Sequence, residues 1–184
     1  MISEWRDLLT HSQLEPVELT SFQRILLVAD GTLTKILEAH LTEALEVVKL
    51  SEKIITTTKD ILPLEIKAGC EVIKRNILLQ GQITQRNWLY AESIIVIERL
   101  DKNFRDKLIS SDIPIGKLWS EHKIETFKEV IVSAREPAGN LAKHFEIART
   151  EKLLYRTYRV FSKQQPVMMI TEKFPESYFT DMMQ

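Results

Sequence analysis

The sequence predicts an α+β protein built on a single antiparallel sheet of about six strands, with helices packed on one side. Three observations point there. Helical periodicity occupies residues 15–40, β-branched runs dominate from Ala44 onward, and two turn-like joins, GQITQRN and SKQQP, each separate a pair of such runs. Helices first, then strands interrupted only by short helices, argue for an antiparallel sheet rather than alternating βα units.

From Glu15 the chain reads as a helix, with Pro16 suited to its first turn and Phe22, Ile25, Leu26 and Ala29 on one face. Asp30-Gly31 breaks it, and a second helix from Thr32 to His40 places Leu33, Ile36 and Leu37 inward. ALEVVKLSEKIITTT, CEVIKRNILLQ and NWLYAESIIVIERL read as strands, the last two as a hairpin. A polar helix (DKNFRDKLI), a short helix near KLW and the strand KIETFKEVIVSA come next. A small helix around Ala138 to Phe145 then precedes a second hairpin, LLYRTYRVFS and PVMMITEKF.

Composition narrows the function classes. A chain of 184 residues fits one core, and no Gly-, Ser- or Pro-rich linker divides it, so residues 1–184 are expected to form a single domain. Hydrophobic residues at 44% and charged residues at 28% suit a globular protein. Lys plus Arg number 25 against 26 Asp plus Glu, so no net field draws the chain to nucleic acid or an anionic membrane. The lone Cys70 makes neither an intrachain disulfide nor a multi-cysteine zinc site, and it reads as a small half-buried hydrophobe at a strand start. MISEWRDLLTHS lacks the pattern of a secretory leader, and no apolar run approaches the roughly 20 residues of a membrane span. The cytoplasm is the expected location, while the oligomeric state stays open.

Strand parity then singles out charges on apolar rows. Successive side chains of a strand point to opposite faces. In EVIKRNILLQ, Arg75 shares a row with Ile73, Ile77 and Leu79; in VMMITEKF, Glu172 shares one with Met168, Ile170 and Phe174. A charge withdrawn from water costs several kcal/mol unless it is paired or meets a ligand. Two readings are open: an internal Arg75–Glu172 ion pair, or a pocket in which Arg75 takes a ligand carboxylate by paired hydrogen bonds and Glu172 meets a hydroxyl at the far end. Arg156 and Arg159 fall on opposite faces of their strand. Arg156 lies with Leu154, Tyr158 and Val160, either as a packed stem paired to a neighbouring strand or as a second pocket cation. Glu92 sits between Tyr90 and Ile94 on one row, but the opposite row is just as apolar, which leaves its burial undecided.

Other chemistries lack their signatures. His11, His40, His122 and His144 show no paired metal-ligand spacing, no metal site is expected, and neither a Walker loop nor a dinucleotide fingerprint appears.

From about Leu26 to Pro175 the sequence resembles the chorismate lyase family, especially its divergent chorismate lyase-like branch. The resemblance rests on LLVADGTLTKILEAH, the arginine in VIKRNILL, WLYAESIIVIERL, Pro114-Ile115-Gly116 and RTYRVFSKQQPVMMITEKFP. It implies the chorismate lyase-like fold and cleavage of chorismate to 4-hydroxybenzoate and pyruvate, a reaction that feeds quinone biosynthesis. It also implies that Arg75 binds the ring carboxylate, that Glu172 of TEKFP meets the ring hydroxyl, and that backbone N–H groups at Leu33 and Ile115, with Gly116 beside it, help hold the carboxylate. Arg156 is expected to reach the enolpyruvyl carboxylate. The substrate is already activated toward aromatisation, so the reaction calls for orientation and neither a metal nor an organic cofactor. The chain departs from the better-known lyases in a longer stretch after Arg75 and in YAES, where they carry a more basic sequence. A similar fold occurs in the effector-sensing domains of transcription regulators, which makes a stand-alone binder of small aromatic acids the second reading; no winged-helix segment is expected ahead of this domain. A pocketless interaction domain is the third.

Overall fold

The structure, a computed structural model, describes residues 14–110 and 115–180. Among these residues six strands form one sheet: β1 (Leu45–Thr56), β2 (Glu71–Gly81), β3 (Asn87–Val96), β4 (Phe127–Pro137), β5 (Lys152–Ser162) and β6 (Gln165–Pro175). Their order is β1-β2-β3-β6-β5-β4, and every neighbouring pair is antiparallel. The two expected hairpins, β2–β3 and β5–β6, therefore meet along β3 and β6 at the centre. The second hairpin turns on Lys163 and Gln164, both left-handed with φ of 51° and 64°. That conformation matches the right-handed twist of the flanking strands.

The helices are α1 (Ser21–Val28), α2 (Leu33–Leu41), α3 (Lys102–Ser110), α4 (Ile115–Glu121) and the single turn α5 (Ala142–Phe145). The continuous helix expected from Glu15 is interrupted. Pro16–Glu18 make a 3-10 turn, and α1 begins afresh at a capping box, in which the Thr20 hydroxyl accepts the Gln23 N–H at 3.2 Å and the Gln23 side chain accepts the Thr20 N–H at 2.8 Å. The restart rotates the buried face: Leu26 and Leu27 are inside, while Ile25 is 48% exposed. The second helix begins at Leu33, one residue later than expected, and Leu33 and Leu37 are buried.

Two apolar clusters share the sheet face that carries Arg75. Leu26, Leu27, Leu33 and Leu37 from α1 and α2 pack with Leu79, Leu89, Leu154 and Phe174 at one end. Phe104 and Leu108 of α3 and Leu118 and Trp119 of α4 pack with Ile73, Ile95, Val160 and Met168 at the other. On the opposite face, Leu64 and Ile66 cover Val72 and Val96, with Cys70 packed half-buried beside them. Its middle row is polar and half-buried: Asn76, Glu92, Thr157 and Thr171, the two threonine hydroxyls 2.8 Å apart. Glu92 thus lies on the face away from Arg75, 3.9 Å from Lys173. No helix among the described residues is long and apolar enough to cross a membrane.

Candidate active site

Between the two apolar clusters the helices leave a cavity of about 70 Å³ against the sheet. One water needs about 10–15 Å³ on this scale, so there is room for several waters or a compact ligand. The strands fix its floor by register. Arg75 lies opposite Ser93, Ala91 opposite Glu172, and Glu172 opposite Arg156, so these side chains share one face. Two strand spacings and two residues of rise separate Arg75 from Glu172, a Cα distance of about 12 Å. Both side chains line the same cavity from different ends, with Ile77, Ala91 and Ile170 between them. Thr32, Leu33 and Thr34 at the start of α2, and Ile115 and Trp119 of α4, close the top.

Arg75 is 2% exposed, and its Nε lies 3.4 Å from a carboxylate oxygen of Glu52, the residue opposite it on β1. The internal Arg75–Glu172 pair weighed from the sequence is replaced by two separate pairs. Glu172 accepts a hydrogen bond from Arg156 Nε at 2.8 Å on one oxygen and from the Tyr158 hydroxyl at 3.0 Å on the other. Each carboxylate oxygen has two lone-pair sites, so each can accept one further hydrogen bond. Burial, then the Glu172 charge, pushes the Tyr158 hydroxyl well above its ordinary value, so it remains a donor.

Arg156 is 1% exposed and does not line the cavity. Its guanidinium is held by Glu172 and by the Ala29 carbonyl, which accepts from Nη1 at 2.7 Å. The structure therefore pairs Arg156 with Glu172 on the neighbouring strand, the arrangement that the packed-stem reading describes. Leu33 opens α2, where the first N–H groups of a helix have no intrahelical acceptor. Ile115 opens α4 and lines the cavity; Gly116 follows it in the helix, and Pro114 lies outside the described residues.

Among the cavity residues not singled out from sequence are Tyr158, Lys128 and Trp119. Tyr158 stood on the row of Arg156 and was legible as its neighbour. Lys128 sits on the inward row of β4 with Val130, and the bulge between Val130 and Val132 hides that alternation. Its Nζ donates to the Gly31 carbonyl at 2.9 Å and stands 5.3 Å from the centre of the Tyr158 ring. Burial holds this ammonium below its ordinary value, with Glu172 and Asp30 opposing the shift and Arg156 adding to it. Among the described residues no group of three or more His, Cys, Asp or Glu is placed to hold a metal ion.

A family model for the Rv2949c-like chorismate pyruvate-lyases matches residues 27–181. The chain belongs to this family. A chorismate pyruvate-lyase of Mycobacterium tuberculosis (strain CDC 1551 / Oshkosh) is 32% identical over 163 residues, covering 86% of this chain and 81% of that protein. The corresponding protein of Mycobacterium leprae (strain TN) is 32% identical over 163 residues, covering 86% and 76%. Among solved structures, the effector domain of PhnF from Mycobacterium smegmatis superposes with a TM-score of 0.66 at 9% identity, over 84% of this chain and 94% of that one. The C-terminal domain of the histidine utilization repressor from Pseudomonas syringae pv. tomato str. DC3000 gives a TM-score of 0.58 at 16% identity, over 74% and 94%. At such identities these neighbours speak to the fold alone, the chorismate lyase-like α+β sheet.

Proposed function

We propose that this family member is a chorismate pyruvate-lyase, converting chorismate to 4-hydroxybenzoate and pyruvate in the cavity between Arg75 and Glu172. The observation that carries the reading is the placement of a buried guanidinium and a buried carboxylate at two ends of one small, largely apolar cavity. A ring with a carboxylate at one end and a hydroxyl at the other satisfies both. Arg75 takes the ring carboxylate by charge-assisted hydrogen bonds, and the N–H groups at Leu33 and Ile115 add donors from the helix starts. Glu172 accepts the ring hydroxyl while Arg156 and Tyr158 hold its carboxylate in place.

The reaction itself needs little from the protein. The ring carbon bearing the hydroxyl loses its proton, the bond from the neighbouring ring carbon to the enolpyruvyl oxygen breaks, and the ring becomes aromatic. The oxygen leaves with the bonding pair as the enolate of pyruvate, which takes one proton on its methylene carbon and becomes pyruvate. Orientation in an enclosed apolar space lowers the barrier, and the cavity walls exclude water. The aromatic product keeps the groups that Arg75 and Glu172 recognise, so slow product release is expected. Its product is an acid of the kind quinone biosynthesis consumes.

The second reading keeps the cavity and removes turnover, making the chain a binder of small aromatic acids. Incubating the purified protein with chorismate separates the two. The lyase reading expects equal amounts of 4-hydroxybenzoate and pyruvate in excess of the enzyme; binding of 4-hydroxybenzoate with no product formed would establish the binder.

A further inference from the structure

Chorismate carries two carboxylates, and Arg75 accounts for one of them. We propose that Lys128 binds the second, on the enolpyruvyl side chain, and so distinguishes the substrate from its aromatic product. The inference rests on the lyase reading for the identity of the ligand.

Four observations place Lys128 for this role. It lines the cavity, where among the described lining residues the cations are Arg75 and Lys128. It belongs to the Glu172 end, because Tyr158, whose ring it overlies at 5.3 Å, is hydrogen-bonded to Glu172. It also lines an open depression with Asp30, Gly31 and Thr126, which shares Thr32 and Trp119 with the cavity. Lys128 therefore stands where the inner space meets the outer one. Finally, the bond to Gly31 uses one of its three donors, which leaves two for a ligand oxygen.

The substrate's own geometry points to the same residue. The enolpyruvyl ether sits on the ring carbon next to the one bearing the hydroxyl, so a hydroxyl on Glu172 brings the side chain to the same end. Its carboxylate would otherwise enter a partly desolvated region beside the negative Glu172, with the Arg156 charge already engaged by that residue. An ammonium at the mouth removes this penalty. 4-Hydroxybenzoate has no such group, so Lys128 contributes to substrate binding and little to product binding, which favours product departure.

The test compares the two ligands on Lys128→Met, Lys128→Gln and Lys128→Arg. Turnover of chorismate gives KM, and competition by 4-hydroxybenzoate gives its inhibition constant. Removing one charge-assisted contact predicts a rise in the KM for chorismate of about 10- to 100-fold in the Met and Gln variants. The inhibition constant of 4-hydroxybenzoate should stay within about threefold, and Lys128→Arg should recover most of the KM. An unchanged KM, or equal weakening of both ligands in a folded variant, overturns the proposal. Should the wild type bind 4-hydroxybenzoate without turning chorismate over, the lyase reading fails by itself. Displacement of bound 4-hydroxybenzoate by chorismate then reads the Lys128 contribution directly, with the same outcomes deciding it.

Discussion

Glu172 has a protein donor on each oxygen, so removing either donor leaves its carboxylate half-satisfied. Arg156→Leu leaves a buried carboxylate with the Tyr158 hydroxyl alone, and should destabilise the fold by roughly 3–5 kcal/mol in urea melts. Replacing Glu172 by Met in the same chain should recover much of that loss, since a buried pair exchanged for apolar residues is often close to neutral. A small loss in the single variant would mean that Arg156 is not what holds Glu172. Arg75 and Glu172 were legible in the sequence because a charge on an apolar row is conspicuous under strict alternation. Their partners were not, because pairing depends on register. Counting back from the Lys163-Gln164 turn would set Arg156 opposite Thr171 and leave Glu172 on the other face. The irregularity at Val160/Phe161, beside a Pro166 that cannot donate to the ladder, shifts the count by one and brings Glu172 opposite Arg156. One inserted residue turns a strand's whole row over.

At the scale of elements, the β2–β3 hairpin carries Arg75, Ile77, Ala91 and Ser93, so the site depends on how that hairpin is closed. Its turn is tied to the rest of the fold through Glu43, whose carboxylate accepts from the N–H groups of Ile83 and Thr84, the Thr84 hydroxyl at 2.8 Å and the Trp88 indole at 3.3 Å. Burial alone would raise the Glu43 carboxyl, but these bonds outweigh it and hold the group below its ordinary value. The stabilisation is present above the unfolded carboxylate range and lost as pH falls through the lower folded value. Glu43→Gln should therefore weaken the fold at neutral pH and flatten this acid limb of the stability curve, whereas an unchanged pH dependence would deny Glu43 the role. Gly81 has a related constraint, since a Cβ there would stand 2.4 Å and 2.5 Å from the Glu43 oxygens. Gly81→Ala should cost about 1–3 kcal/mol, as overpacking at a fixed contact does. Strand identities and both hairpins could be read from β-branched runs and turn composition. The break after Glu18 could not, because the Thr20–Gln23 capping box competes locally with a helical pattern that otherwise runs on from Pro16.

Across the whole molecule, the sheet order places β3 and β6 at the centre and lets the helices gather on one face in two groups, with the cavity left between them. That separation makes room for a ligand where a continuous core would have closed it. Family membership and sheet architecture agree with what the sequence implied, while the Lys128 rim and the Arg156 brace emerge only once the strands are in register. The central claim is that Arg75 serves a ligand carboxylate in this cavity. Glu52, which faces Arg75, also meets the Lys49 ammonium at 3.3 Å and keeps 16% of its side chain exposed, so its charge retains a partner when Arg75 is lost. The most direct measurement is calorimetric titration of 4-hydroxybenzoate into wild-type protein and Arg75→Ala, with urea melts confirming that both are folded. Binding by the wild type, weakened by about 2–5 kcal/mol in the variant with a smaller loss of fold stability, is the predicted result. A folded Arg75→Ala protein that binds 4-hydroxybenzoate as tightly as the wild type would contradict it.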